Sequence, residues 1–407
     1  MKQDLDRLMV ERELSAMMIS GAALGNPAMA YMVNGAGISG GYGVKKVGQD
    51  AVLFCSPIER EVAAASGLEV VNLARYNPAR ILHESEDELS AAVELHQKIL
   101  GDLEVTGTVG FCGMADQGKS WLLLAALRDR LDSIEVFAEF GPSALDIARA
   151  TKDAFEVERI KGVADRTRSV VERTIQFLRE HRVVGDVLLQ EDGSPLTIGC
   201  VHEAINRFMA ELRLEDPAGF IFSIGRDAAI PHSRGNPEDR IELGKSIVFD
   251  IFPREAGGGY FFDLTRTFCL GYAPPDVERA YQDVLECVQM LTSAYAIGVE
   301  TKCYQQMACS FFEQRGHPTV GSKPGTEDGY VHGLGHGIGL EIHEEPGFRD
   351  APMNDVVLLP GHVFTCEPGL YYPDRGFGVR IEDVIWVDDT GKMHNLTQFP
   401  YELVIEV

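Results

Sequence analysis

Residues 331–347 read VHGLGHGIGLEIHEEPG, and no other stretch limits the fold so sharply. Glycines at 333, 335, 337 and 339 each cost about 1 kcal/mol against alanine in a helix, so the segment is extended chain or tight loop. That excludes the helical zinc-protease signature H-E-x-x-H, whose glutamate position is taken here by Gly333. In extended chain His332 and His336 share a face, because side chains alternate with a period of two. Three imidazoles, with His343, then need something to hold.

Carboxylates on apolar strands are the natural partners. Asp250 lies in SIVFDIFP and Asp263 follows YFF, with a Pro/Gly-rich turn between them. A hairpin centred on that turn sets Asp250 directly opposite Asp263, with both side chains on one face. Glu367 in VFTCEPGLYY and Glu382 in GVRIEDVIWV sit in similar company, whereas Asp383 points the other way and is expected at the surface. Like charges buried together repel and titrate upward. Four carboxylates and one imidazole on apolar strands therefore need positive charge between them, which two divalent cations would supply.

At 407 residues the chain has room for two or three domains. With 62 acidic against 37 basic side chains, its net charge of −25 argues against nucleic acid or an anionic membrane as a main partner. The opening MKQDLDRLMVEREL has no apolar run and reads as no signal peptide, and no window is apolar enough to span a bilayer. Eight cysteines without a C-x-x-C, mostly among apolar neighbours, point to buried thiols and a reducing cytoplasm.

Residues 1–150 alternate helical and strand-like patterns, as expected of an α/β domain. Helices are expected over 3–14, 89–103 and 118–131, and strands in SAMMIS, DAVLFCS, EVVNL and GTVGFCG. The glycines of GAGISGGYG (35–43) lack the strand-then-helix context of a dinucleotide fingerprint and read as a mobile loop. A second domain, 151–407, opens on a long helix capped by Asp153 and Glu156, with apolar spacing from Phe155 to about Arg182. Further helices are expected near 199–213 and 275–297, and the acids lie on the strand-like runs between and after them.

The set Asp250, Asp263, His336, Glu367 and Glu382, within DLTRT, HGLGHGIGLEIHEEP, EPGLY and GVRIED, resembles the Xaa-Pro peptidase and methionine aminopeptidase superfamily of pita-bread metallopeptidases. The resemblance runs from about residue 152 to the C-terminus. The preceding domain is similar to the RNase H-like N-terminal domain of prolidases, proline aminopeptidases and creatinase, which methionine aminopeptidases lack. It implies a two-domain α/β chain whose C-terminal α+β domain has the pita-bread fold. Two departures stand out: the loop between Asp250 and Asp263 is two residues longer than the common form, and Gly244-Lys245 replaces a frequent Gly-Asp. An even insertion preserves strand parity.

The resemblance implies that Asp250 chelates one metal, that Asp263 and Glu382 bridge two, and that His336 and Glu367 complete the shell of the second metal. Mn or Co is the expected ion, with Zn or Fe(II) also suited to one nitrogen among several oxygens. It further implies Glu367 as proton shuttle, His343 and His232 as groups steadying the tetrahedral intermediate, and His332, Arg380 and Tyr371 as supporting or substrate-facing groups. Arg349 is a candidate for a substrate carboxylate, with a surface salt bridge equally open. The expected activity is hydrolysis of an Xaa-Pro bond in a small peptide by a dipeptidase, a homodimer if it follows its relatives. Closure of the chain at ELVIEV favours the dipeptidase over an Xaa-Pro aminopeptidase. A creatinase-like C–N hydrolase and a non-catalytic binding protein are the remaining alternatives.

Overall fold

The short apolar runs of the first 150 residues assemble into one mixed sheet. In the computed structural model, which describes residues 2–407, its strands are β1 (Ala16–Ser20), β2 (Gly41–Lys46), β3 (Val52–Cys55), β4 (Glu69–Asn72), β5 (Gly107–Gly113) and β6 (Ile134–Phe137). They lie in the order β4-β3-β2-β1-β5-β6. β1 pairs parallel with β5 and antiparallel with β2, and its apolar residues 16–19 are all buried, as suits a strand covered on both faces. Helices Glu88–Asp102 and Gln117–Arg130 place Val93, Ile99 and Leu127 in a cluster with Met18, Phe54 and Val109.

The glycine-rich stretch 35–43 is not a mobile loop throughout. Its last residues begin β2, where a side chain on Gly41 would place Cβ 2.7 Å from the Phe54 carbonyl oxygen. The glycine allows close strand pairing there and hides the strand's period from a sequence reading. Upstream, Ile38 is buried and Ser39 donates to the carboxylate of buried Glu59 through its backbone N–H (3.2 Å) and its hydroxyl.

By packing, the chain divides into residues up to Arg149 with Gly257–Gly259, and Ala150–Ala256 with Tyr260–Val407. The second unit opens on helix Ala154–Arg179, whose N-terminus carries a reciprocal capping box: Glu156 N–H donates to Asp153 and Asp153 N–H to Glu156, each at 2.9 Å. Its buried stripe begins at Val157 rather than Phe155, which is exposed, and continues through Ile160, Val163, Val170 and Leu178. Helices Ile198–Glu211 and Pro275–Ala294 lie where expected. A further helix, Thr301–Gln314, buries Thr301, Tyr304, Gln305, Ala308, Cys309 and Phe312. That is a helical period, but Thr301 and Gln305 interrupt its apolar face, so an apolar template passes over it.

Strands Ile221–Ile224, Ser246–Ile251, Leu264–Leu270 and Val404–Ile405 form one sheet of this unit, and Val363–Cys366, Asp383–Val387 and Met393–Asn395 another. Gly369–Tyr372 pairs with Phe377–Arg380 as a ribbon. In the hairpin holding the two aspartates, Asp250 faces Thr265, not Asp263. The chain between them is not a simple turn: Phe262 N–H donates to the Pro253 carbonyl (3.0 Å) and Arg254–Glu255 pairs with Leu214–Glu215, which shifts the register by two residues. The shift is even, so Asp263 remains on the same face as Asp250, as a diagonal neighbour.

Replacing Asp153 by Ala removes the helix cap and is expected to lower stability by about 1 kcal/mol. A denaturant titration reads this as a lower midpoint at unchanged slope; an unchanged midpoint would contradict the capping role.

Candidate metal centre

Glycines determine how the histidine segment meets the acids. Residues 334–338 run extended beside strand Val363–Cys366: Thr365 N–H donates to the His336 carbonyl (2.8 Å), Glu367 N–H to Leu334 (2.9 Å) and Ile338 N–H to Val363 (3.1 Å). A Cβ at 335 would lie 2.1 Å from the Thr365 carbonyl oxygen, and one at 337 only 2.0 Å from that of Glu345. The residues that forbid a helix are those that let this backbone lie against the strand, bringing His336 beside Glu367.

Ligand atoms of Asp263, His336 and Glu382 all lie within 4.8 Å of one another. His336 Nε2 stands 3.4 Å from Glu367 Oε1 and 3.9 Å from Asp263 Oδ2. Its other nitrogen, Nδ1, is 3.1 Å from the Gly337 carbonyl oxygen. A carbonyl only accepts, so Nδ1 carries the proton and Nε2 presents a lone pair to two carboxylates. Asp250 borders Asp263 on the strand face and is held by Arg380, whose Nη2 donates to Asp250 Oδ2 at 2.5 Å.

The electrostatics of this cluster are unfavourable without a cation. Burial, then repulsion by Glu382 and Asp250, pushes the Asp263 carboxyl far up. Burial and Glu382 do the same for Glu367, and Glu382 itself rises to about 8 through burial and Asp250. Burial and neighbouring His343 lower His336 to about 3, so its imidazole is neutral. Asp250 Oδ1, Asp263 Oδ1 and Glu382 Oε1 are buried and accept no hydrogen bond. Oxygens without donors, a bare imidazole lone pair and like charges in contact fit divalent metal. These three side chains are close enough to share one ion, and Glu367 and Asp250 flank them.

Around these groups the structure adds a hydrogen-bonded shell. Thr265 Oγ1 donates to Glu382 Oε2 (2.7 Å). Arg380 Nη1 donates to Tyr371 Oη (2.8 Å) and to the Pro231 carbonyl (3.2 Å). His332 Nδ1 lies 2.7 Å from the Gly333 carbonyl and so carries its proton, leaving Nε2 to accept from Tyr371 Oη at 2.8 Å. Burial and nearby Arg380 lower His332 to about 4, consistent with this neutral tautomer. The chain His332–Tyr371–Arg380–Asp250 is therefore continuous. The exposed His343 ring meets His336 edge-on at 4.3 Å between centroids, and exposed His232 acts electrostatically on both His343 and His332. Arg349 is exposed, and among the described residues no acid pairs with it.

Asp383 is not a surface residue. It does point away from Glu382's partners, but into a second buried pocket where Arg266 Nη2 donates to it at 2.8 Å, Asn395 at 2.7 Å, and the Tyr401 hydroxyl also donates. Arg266 further ties the Glu382 carbonyl (2.7 Å) and the carbonyls of Phe399 (2.8 Å) and Pro400 (3.0 Å). Sequence reasoning missed Thr265 and Arg266 as supports; polar residues at consecutive positions of the apolar strand LTRTFCL were the available signal.

A carboxyl whose folded pKa is raised stabilises the fold only while protonated, so its contribution falls as pH rises through the folded value. Lowered histidines act the other way, but below about 6.5, where they charge in the unfolded chain. Chelated protein should therefore lose stability from pH 7 to 8.5, Glu382→Gln should lose less, and added divalent metal should remove the difference in slope. Parallel pH profiles for wild type and variant would contradict this picture of Glu382.

Residues 158–389 match the model of metallopeptidase family M24. The chain is 30% identical over 274 residues to "Probable dipeptidase PepE" of Mycobacterium tuberculosis, a match taking in 67% of this chain and 65%, just under two thirds, of that one. It is 26% identical to the Xaa-Pro dipeptidase of Pyrococcus furiosus over 411 residues, 99% of this chain and 100% of the relative. The solved Xaa-Pro dipeptidase from Bacillus anthracis superposes with a TM-score of 0.75 at 23% identity, covering 100% of this chain and 99% of that one, a likeness of fold. The second unit has the pita-bread fold, and the chain belongs to metallopeptidase family M24.

Proposed function

We propose that the protein is a prolidase-type Xaa-Pro dipeptidase whose two divalent ions are held by Asp250, Asp263, His336, Glu367 and Glu382. The observation carrying the metal reading is the His336 Nε2 lone pair aimed at carboxylates 3.4 and 3.9 Å away, beside three buried oxygens without donors. The substrate class is supported by the end-to-end match to the Pyrococcus furiosus Xaa-Pro dipeptidase. Divalent ions bound there supply the Lewis acidity that makes water nucleophilic near neutral pH, Mn or Co being the ions favoured by this reading.

The chain's own groups do the rest. Glu367, beside His336, is the carboxylate that takes a proton from the attacking water and delivers it to the departing proline nitrogen. His343 and His232, both exposed and near enough for His232 to act on His343, donate to the carbonyl oxygen as charge develops on it. Arg380 fixes the Asp250 carboxylate, and Tyr371, hydrogen-bonded to His332, fixes Arg380. Arg349 lies outside this network and is left to the substrate's carboxylate.

All eight cysteines are free, which supports a reducing compartment such as the cytoplasm, and no helix among the described residues is long and apolar enough to cross a membrane. Assembly as a homodimer belongs to the same reading.

Incubation of chelated protein with Gly-Pro, Ala-Pro and a longer Xaa-Pro peptide, with and without Mn, Co or Zn, tests it. Metal-dependent proline release from the dipeptides, abolished in Asp263→Ala, is expected. Cleavage of the longer peptide alone would contradict the dipeptidase, and cleavage of none would contradict the Xaa-Pro assignment.

A further inference from the structure

Outside the ligand set, one charged pair is more deeply buried than any other that touches the histidine segment. The side chains of Lys152 and Glu344 are 1% and 2% exposed, and Lys152 Nζ donates to Glu344 Oε1. Lys152 Nζ also donates to the Ala150 carbonyl at 3.2 Å. The backbone around Lys152 is itself anchored: its N–H donates to the Gly361 carbonyl (2.7 Å), and Thr151 bridges to His362, just before the strand that leads to Glu367.

Glu344 closes the loop that carries His343. Its N–H donates to the Gly337 carbonyl and its carbonyl accepts from Gly337 N–H, each at 2.9 Å. This reciprocal pair makes residues 337–344 a closed excursion whose base adjoins His336. The Glu344 carboxylate then folds beneath the loop against Gly339, where a Cβ would lie 2.2 Å from Oε1. The Gly339 carbonyl in turn accepts from Phe261 N–H at 2.7 Å, two residues before Asp263.

We propose that Lys152 is a positioning residue for the proposed peptidase reaction: by holding the buried Glu344 carboxylate under the loop 337–344, it fixes the His343 imidazole beside His336. A buried carboxylate needs a buried cation, and a loop that opens on glycines at 337 and 339 has little stiffness at its base. The ion pair supplies the missing rigidity. Lys152 touches no reacting atom, and its effect passes through Glu344 to the neighbouring His343. This role rests on the Xaa-Pro peptidase reading for its catalytic consequence, but its structural part does not.

The test uses full-length wild type, Lys152→Met, Lys152→Arg, Glu344→Gln and the double variant Lys152→Met/Glu344→Gln. Amide exchange by mass spectrometry and Gly-Pro turnover are followed together, with bound metal measured in each. Exchange across 337–344 should quicken about tenfold or more in Lys152→Met, with strand Ser246–Ile251 unchanged. Turnover should fall through kcat by about 10- to 100-fold at nearly constant KM and metal content. Lys152→Arg should recover most of both, and the double variant should do no worse than either single one. If Lys152→Met does not fold, Glu344→Gln and the double variant carry the same comparison. Unchanged loop exchange, or exchange quickened equally everywhere, would overturn the proposal. A wild type that cleaves no Xaa-Pro peptide would sink the functional reading instead, while the exchange result still decides whether Lys152 holds the loop.

Discussion

Asp263, Glu367 and Glu382 repel one another from within a few ångströms, in a place where water can do little to screen them. Burial pushes all three up, with Glu382 and Asp250 adding to it for Asp263 and Glu367, and Asp250 for Glu382, and the imidazole that faces them is neutral. A fold gains nothing from such a group on stability grounds alone, because a buried carboxylate without a donor costs free energy. The arrangement is intelligible when the missing partner is a cation that binds the folded chain and not the unfolded one. The surrounding polar groups are consistent with that: Thr265 and Arg380 each satisfy one carboxylate oxygen and leave the other pointing inward.

The backbone solves a separate difficulty, that of bringing a histidine from a loop against a strand glutamate. Gly335 and Gly337 permit approach distances that any Cβ would block, and the paired hydrogen bonds of Gly337 and Glu344 close the loop bearing His343. A flexible composition becomes a fixed structure only through tertiary contacts, of which the buried Lys152–Glu344 pair is the most enclosed.

Much of this was legible in the sequence. Glycines at 333–339 ruled out a helix, and the strand Val363–Cys366 beside them shows why the chain is extended. The long helix after Asp153 announced itself through its capping pair, and the parity of Asp250 and Asp263 survived although their register did not. Other features were hidden for physical reasons. Asp383 looked like a surface acid because its partners, Arg266, Asn395 and Tyr401, come from distant positions that no local pattern connects to it. Helix Thr301–Gln314 buries threonine, glutamine and cysteine where apolar residues mark a helix face, and β2 opens on glycines. Lys152 carried no signal at all: its partner lies 192 residues away.

The most direct test of the account is the metal content of the protein after chelation and reloading with Mn or Co, measured by elemental analysis alongside thermal unfolding. Two ions per chain are predicted, with a rise in Tm that Asp263→Ala and Glu382→Gln both diminish. Protein that retains no divalent ion after reloading, with an unchanged Tm, would contradict the claim that these carboxylates and His336 form a metal centre.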